Sequence, residues 1–319
     1  MSNLPPTSAL ASALLAATAQ PALWIYLIPR FRTFLANLEL TAAQQEDGAT
    51  KIAGVISCLN SAYYAHNSTI DNAFLVGSWA KGTRTRPPRD IDLYFLLPPA
   101  VYYRFEAYAP GVNRQSALLQ EVKSKLTAKY GSSTIKGDGP VVLASFLSYS
   151  VEVVPAFRLD EVRSFYACDT KDGGSYMTTK PLHDIDAIAA ADQRNAGNVR
   201  PLIRMLKAWQ AWCGVPLKSF YLELLAIDFM DQCAWKNQGL LYYDWICRDF
   251  FKWMVSRAGT YVVHPGTHEV TLIGDAWKSR AESAYARADK AADLERVNKM
   301  VEAGDEWQKI FGPQVPRTV

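Results

Sequence analysis

The segment that most limits the folds open to this chain is residues 89–97, where two aspartates stand at the start of an otherwise hydrophobic run. Its length and its β-branched and aromatic residues predict a buried β-strand. Side chains two positions apart on a strand share a face, so Asp90 and Asp92 project to one side while Ile91 and Leu93 point into the core. Two neighbouring carboxylates repel each other, and a hard divalent cation relieves that repulsion. The alternative is an ordinary solvated start of a strand.

Short apolar segments around this strand predict a sheet with flanking helices. Residues 73–76, 141–147 and 151–157 have the length and composition of further strands. Residues 21–66 predict two helices, and the second begins at a Thr41 capping box completed by Gln44. Residues 114–130 carry leucine and valine at helical spacing and should pack on one face of the sheet.

The character of the chain changes near Asn195, after which long helical patterns replace the strand signals. At 319 residues the chain also exceeds the size that one hydrophobic core usually serves. These observations predict an α+β fold in two lobes, with residues 1–194 forming a mixed lobe that begins with helices and residues 195–319 forming a helical lobe.

Composition narrows the classes of partner. A net charge of +3 is too small to require a long nucleic acid and fits a small polyanionic ligand better. Five cysteines lie apart without a CxxC pair, which indicates neither a zinc ribbon nor a disulfide framework and favours a reducing cytoplasm. Residues 1–20 lack the positive start of a signal peptide and are expected to form a helix or arm. The apolar stretches are too short and interrupted for a membrane span.

A turn upstream of the paired aspartates has the composition of a phosphate site. Residues 74–83 run from a strand into Gly77 and Ser78 and then into a short predicted helix. Such a turn offers free backbone amides to an anion, and glycine allows its close approach. Taken alone, a Gly-Ser dipeptide is most often a plain turn, so the prediction depends on Asp90 and Asp92.

A third acid stands in the strand of residues 151–157. Glu152 is surrounded by valines and a phenylalanine, where a buried carboxylate without a partner would be costly. It therefore either reaches the edge of the sheet or meets a cation, and the two aspartates favour a metal site. The alternative is the polar face of an alternating strand.

One predicted helix of the second lobe carries a basic face. Within residues 198–213, leucines and a tryptophan form an apolar stripe, whereas Arg200, Arg204 and Lys207 fall on the opposite side. A solvated charged face is the common alternative.

The motifs GSWAKGT, DID and VEVVPAF together resemble the nucleotidyltransferases related to cyclic GMP-AMP synthase and oligoadenylate synthetase, especially the bacterial cyclic-oligonucleotide synthases of the CD-NTase family. The resemblance covers residues 20–275 and implies a polymerase-β-like core packed on a helical C-terminal lobe. It also implies that Lys207 and Ser219 contact the donor triphosphate and that Phe220 stacks on a base. Otherwise Ser219 would be a plain helix N-cap and Phe220 a plain core aromatic. The sequence departs from the family at Glu152, where aspartate is usual.

With this resemblance, the residues predict an enzyme that makes a cyclic oligonucleotide second messenger, most simply a cyclic dinucleotide from ATP and GTP, in bacterial anti-phage signalling. Two Mg²⁺ ions, replaceable by Mn²⁺, are expected on Asp90, Asp92 and Glu152. A separate effector protein should sense the product, and no long nucleic acid activator is expected. Two alternatives stay open: a nucleotidyltransferase that modifies another acceptor, and a nucleotide-binding sensor without catalysis.

Overall fold

The computed structural model describes residues 23–88, 90–131, 134–159 and 163–319. The helix or arm expected over residues 1–20 therefore lies outside the described residues. The helices are α1 Leu27–Leu38, α2 Ala42–Tyr63, α3 Gly77–Lys81, α4 Pro99–Glu106, α5 Arg114–Tyr130, α6 Pro181–Arg194, α7 Val199–Trp212, α8 Ser219–Gln232, α9 Tyr243–Val255, α10 Lys278–Arg296 and α11 Met300–Phe311. The strands are β1 Ala73–Leu75, β2 Ile91–Leu96, β3 Thr134–Asp138, β4 Val141–Ser145, β5 Ser150–Arg158, β6 Phe165–Asp169, β7 Ser175–Thr179, β8 Tyr261–Val263 and β9 Val270–Leu272.

Strands β1 to β7 form one mixed sheet in the first half of the chain. Its path is β1-β2-β5-β4-β3, with β6 added beside β5 and β7 beside β6. The pair β2 and β5 is parallel, and the other pairs are antiparallel. The four strands predicted from apolar segments are confirmed as β1, β2, β4 and β5. Strands β8 and β9 form a separate hairpin in the second half.

The predicted helices of the first half are also confirmed. Thr41 Oγ1 accepts a hydrogen bond from the Gln44 backbone, and the Gln44 side chain accepts one from the Thr41 N–H, at 3.2 and 2.9 Å. The two bonds satisfy amides that the first turn of α2 would otherwise leave without partners. Helix α5 buries Leu118, Val122 and Leu126 against the sheet, as its spacing predicts.

The structure has two main hydrophobic cores, which lie in the two parts of the chain that differ in predicted secondary structure. One core lies between the sheet and helices α2 and α5, and the other lies among the helices after residue 195. Helix α1 packs its buried face, which includes Phe31 and Phe34, into the second core. Its fully buried Arg30 donates to Glu295 of α10 at 2.5 Å and to the carbonyl of Met300 at 2.6 Å. Helix α1 is thus hydrogen-bonded to the C-terminal part of the chain. The division of the chain into two lobes at residue 194 stays a prediction.

Across the described ranges, no helix combines the length and the apolar character needed to cross a membrane.

Candidate functional site

Two of the three predicted acids are direct neighbours across the sheet. Strands β2 and β5 run parallel, and their register pairs Asp92 with Glu152. Ile91 and Leu93, on either side of Asp92, are completely buried, so the alternation predicted for this strand is confirmed. Asp90 stands just before β2 and is exposed. The pairing of two sheet neighbours therefore brings together acids that are 60 positions apart in the sequence.

The turn between β1 and α3 fits closely over Asp92. The backbone N–H of Val76 donates to the carbonyl of Asp92 at 3.0 Å. Gly77 follows with φ of +58°, a left-handed conformation that side chains disfavour, and a Cβ added there would lie 1.8 Å from Asp92 Oδ2. Glycine is required at this position for both its backbone conformation and its missing side chain.

A cavity of about 250 Å³ opens between the sheet and the helices α7 and α8. Every residue predicted for the site lines it: Gly77, Ser78, Asp90, Asp92, Glu152, Lys207, Ser219 and Phe220. The remaining lining residues were not singled out by the sequence: Leu40, Trp79, Lys81, Thr83, Arg84, Thr85 and Glu223.

The pKa of Asp92 is shifted by its surroundings in the cavity. Burial raises the pKa of its carboxyl, and the neighbouring charge of Asp90 raises that pKa further. Lys81 and Lys207 act in the opposite direction but do not cancel the shift. A cation placed beside Asp92 would therefore stabilise its ionised form.

The carboxylates have the right chemistry for Mg²⁺, because hard cations prefer oxygen ligands. Asp90, Asp92 and Glu152 also line the same cavity. Within the described parts of the chain, however, no three side chains of the ligating types are grouped closely enough to hold a metal ion together.

The basic face of α7 packs against the end of α3 and the segment that follows it. Lys207 is 7% exposed, and its Nζ donates to Glu223 Oε1 at 2.6 Å and to Thr83 Oγ1 at 3.0 Å. Arg200 donates to the Lys81 carbonyl at 2.8 Å, and Arg204 pairs with the surface residue Glu39 at the end of α1. A solvated face is therefore the wrong interpretation for Lys207, because this side of α7 closes the cavity.

Glu223 is the main polar residue that the sequence analysis missed. It is 3% exposed and accepts hydrogen bonds from Lys207, from Lys81 at 2.9 Å and from Thr83 Oγ1 at 3.0 Å. Burial opposes its ionisation, but the two lysines outweigh burial and lower the pKa of Glu223. Its signal was a single acid within the apolar run of residues 220–226, the same pattern that singled out Glu152.

Ser219 and Phe220 lie at the start of α8, on the wall of the cavity. Ser219 is the first helical residue and its hydroxyl donates to Gln210 Oε1 at 2.7 Å, whereas Lys218 holds the N-cap position. The plain N-cap interpretation of Ser219 is therefore wrong. The Phe220 ring is half-buried and lies 4.8 Å from Lys81 Nζ.

Comparison with known proteins points to one family. The sequence model of the Second Messenger Oligonucleotide or Dinucleotide Synthetase domain matches residues 27–193. A probable cyclic nucleotide synthase of Bacillus cereus strain VD146 is 24% identical, over 75% of this chain and 81% of that protein.

Solved structures give the same fold. The chain superposes on Escherichia coli DncV bound to 3′-deoxy GTP with a TM-score of 0.64 and 12% identity, covering 88% of this chain and 94% of that one. CdnC of E. coli MS115-1 with ATP gives a TM-score of 0.61 and 20% identity, covering 91% and 98%. The CD-NTase CdnG of Bradyrhizobium diazoefficiens with GTP gives 0.60 and 11%, covering 91% and 96%. The expected polymerase-β-like fold is thereby confirmed.

Proposed function

Because the chain belongs to the family of second messenger oligonucleotide or dinucleotide synthetases, and is therefore a nucleotidyltransferase, we propose that it joins ATP and GTP into a cyclic dinucleotide. The observation that carries this proposal is the single cavity to which one lobe contributes three carboxylates and the other a lysine, a serine and an aromatic ring. The solved relatives bound to ATP, GTP or 3′-deoxy GTP support nucleoside triphosphates as substrates.

We assign the metal-binding role to Asp90, Asp92 and Glu152. They would hold two Mg²⁺ ions, with Mn²⁺ able to replace them. Bound there, the ions would offset the charge of the triphosphate and lower the pKa of the attacking hydroxyl. The raised pKa of Asp92 supports this role, because an added cation favours its ionised form.

The remaining residues of the cavity would orient the two nucleotides. Gly77 and Ser78 lie beside Asp92 and would contact the β and γ phosphates, with Lys207 and Ser219 closing on them from the second lobe. The acceptor hydroxyl would release its proton to water, and its oxygen would bond to the α phosphorus as the bond to the departing pyrophosphate breaks. Positioning and electrostatic stabilisation are the contributions that the protein itself makes.

Phe220 would stack on a base, since its half-buried ring forms part of the cavity wall. A second transfer within the linear intermediate would close the ring.

We further propose that the product signals to a separate effector protein in bacterial anti-phage defence, and that the enzyme needs no long nucleic acid. The modest net charge of +3 supports the last point.

The test is to incubate the protein with the four nucleoside triphosphates and Mg²⁺ and to identify products by mass spectrometry. We expect pyrophosphate and a phosphatase-resistant cyclic dinucleotide, both abolished in the double variant Asp90→Asn, Asp92→Asn. Circular dichroism should show that this variant stays folded.

Three outcomes would contradict the proposal. Pyrophosphate release that survives the double substitution would remove the assigned acids from catalysis. A product that forms only after a separate acceptor is added would replace the cyclase by a transferase of another kind. Triphosphate binding without turnover in Mg²⁺ or Mn²⁺ would indicate a sensor.

A further inference from the structure

Lys81 is a cavity residue with unused hydrogen-bonding capacity. It is the last residue of α3, it is 5% exposed, and its ammonium donates to Glu223 Oε2 at 2.9 Å. A lysine ammonium has three N–H donors. Among the residues that the structure describes, Glu223 is the one acceptor bonded to Lys81 Nζ. The ammonium also lies 4.8 Å from the centre of the Phe220 ring, and Glu223 uses one of its three donors, so it keeps donor capacity for a molecule in the cavity.

Lys207, the lysine expected to contact the triphosphate, is already more fully engaged. Its Nζ lies 2.6 Å from Glu223 Oε1, 3.0 Å from Thr83 Oγ1 and 3.3 Å from the Thr83 carbonyl. These three acceptors match its three donors. In this conformation Lys207 supplies charge to the cavity wall, and Lys81 is the lysine better able to donate directly to a ligand.

The lysine side of the cavity wall also favours an anion, whereas Asp90, Asp92 and Glu152 on the opposite side favour a cation. Lys81 and Lys207 together carry two positive charges against the single negative charge of Glu223, and all three side chains are nearly buried. A buried positive charge that is only partly offset gains stability from an anionic partner. A phosphate oxygen is such a partner, and a charge-assisted hydrogen bond to it is stronger than a neutral one.

The position of Lys81 on α3 indicates which part of a nucleotide it would meet. Ser78 and Lys81 are three residues apart on one helix, a spacing that places side chains on the same face. Both line the cavity together with Gly77. Lys81 therefore extends the same surface that the turn at Gly77 and Ser78 presents.

We propose that Lys81 binds the triphosphate of the donor nucleotide by donating to a nonbridging oxygen beyond the α phosphate. This inference rests on the proposed function, and it adds a binding residue that the sequence motifs did not assign. This contact requires the charged amine of Lys81. Binding of a nucleoside triphosphate therefore depends on Lys81, whereas binding of a nucleoside monophosphate does not.

The test is calorimetric titration of the Lys81→Met variant with a nonhydrolysable nucleoside triphosphate and with the matching monophosphate, in Mg²⁺. Loss of a hydrogen bond to a charged group should weaken triphosphate binding about 10-fold to 100-fold. Monophosphate binding should stay unchanged. The variant should fold, because Glu223 keeps Lys207 and Thr83 as partners. Lys81→Gln provides a second neutral variant, and Lys81→Arg should recover much of the affinity.

The matched control is Lys252→Met. Lys252 also lies over an aromatic ring, 5.9 Å from the centre of Tyr285, but it is exposed and does not line the cavity. Wild-type triphosphate affinity in either neutral variant of Lys81 would overturn the inference and leave the proposed function intact. Equal weakening of monophosphate and triphosphate would also overturn it. A wild-type protein that binds no triphosphate would instead contradict the proposed function itself.

Discussion

Substitution of Gly77 by alanine should separate catalysis from folding. The added Cβ would lie 1.8 Å from Asp92 Oδ2, 2.7 Å from Asp92 Cγ and 3.2 Å from Asp92 Cβ. Cβ atoms in proteins do not approach such atoms within 3.0 Å, so Oδ2 must retreat by about 1.2 Å. Because Cγ is also too close, the whole carboxylate has to swing away from the turn.

The expected magnitudes follow from these distances. A displacement of about 1 Å at a catalytic group costs roughly 100-fold in rate. The left-handed backbone at φ of +58° adds a stability cost of about 1–2 kcal/mol for any residue with a Cβ. We therefore expect pyrophosphate release to fall at least about 100-fold while the protein remains folded.

Gly214→Ala is the matched control for this experiment. Gly214 follows the end of α7 with φ of +56°, and an added Cβ there meets nothing within 4 Å. It should lose a similar 1–2 kcal/mol in urea denaturation and keep its rate of pyrophosphate release. Equal rates in the Gly77 and Gly214 variants would refute the argument that Gly77 makes room for Asp92.

Two further predictions concern Glu152 and the buried Asp244. Glu152→Gln should abolish pyrophosphate release because it removes a charge, whereas Glu152→Asp should stay within about tenfold of wild type because a hard-cation site tolerates a shorter carboxylate; equal loss in both would contradict a ligand role. Burial raises the pKa of Asp244 to about 7, so the folded state holds its proton more tightly and stability falls as pH rises towards 7. Asp244→Asn cannot ionise, so urea denaturation should show it gaining about 2–3 kcal/mol over wild type between pH 5 and 8. An equal difference in unfolding free energy between the variant and wild type at pH 5 and at pH 8 would exclude titration of Asp244.

Strong local patterns made much of the fold predictable. Strand β2 is apolar and bounded by charged and proline residues, and Thr41 with Gln44 forms a capping box within four residues. Strands β3 and β7 carried no such signal, because they are rich in polar residues or glycine, and β6 is a short five-residue segment. They become strands through pairing with neighbours, a tertiary effect that local propensity does not record.

The same contrast between local patterns and tertiary pairing explains which residues of the site could be predicted from the sequence. Gly77, Asp90 and Asp92 lie in short motifs whose chemistry can be interpreted locally. The ion pair between Lys81 and Glu223 joins residues 142 positions apart, and it exists because α8 packs against the turn after β1. The register that sets Asp92 beside Glu152 likewise depends on which strands pair, and sequence spacing leaves that choice undetermined.

A crystal structure of the wild-type protein with Mn²⁺ and a nonhydrolysable nucleoside triphosphate would show whether the three acids hold the catalytic ions. We expect anomalous density for Mn²⁺ within about 2–2.5 Å of oxygens from Asp90, Asp92 and Glu152, in contact with the phosphates. A bound triphosphate with Mn²⁺ held elsewhere, or with Glu152 turned away from the ions, would contradict it.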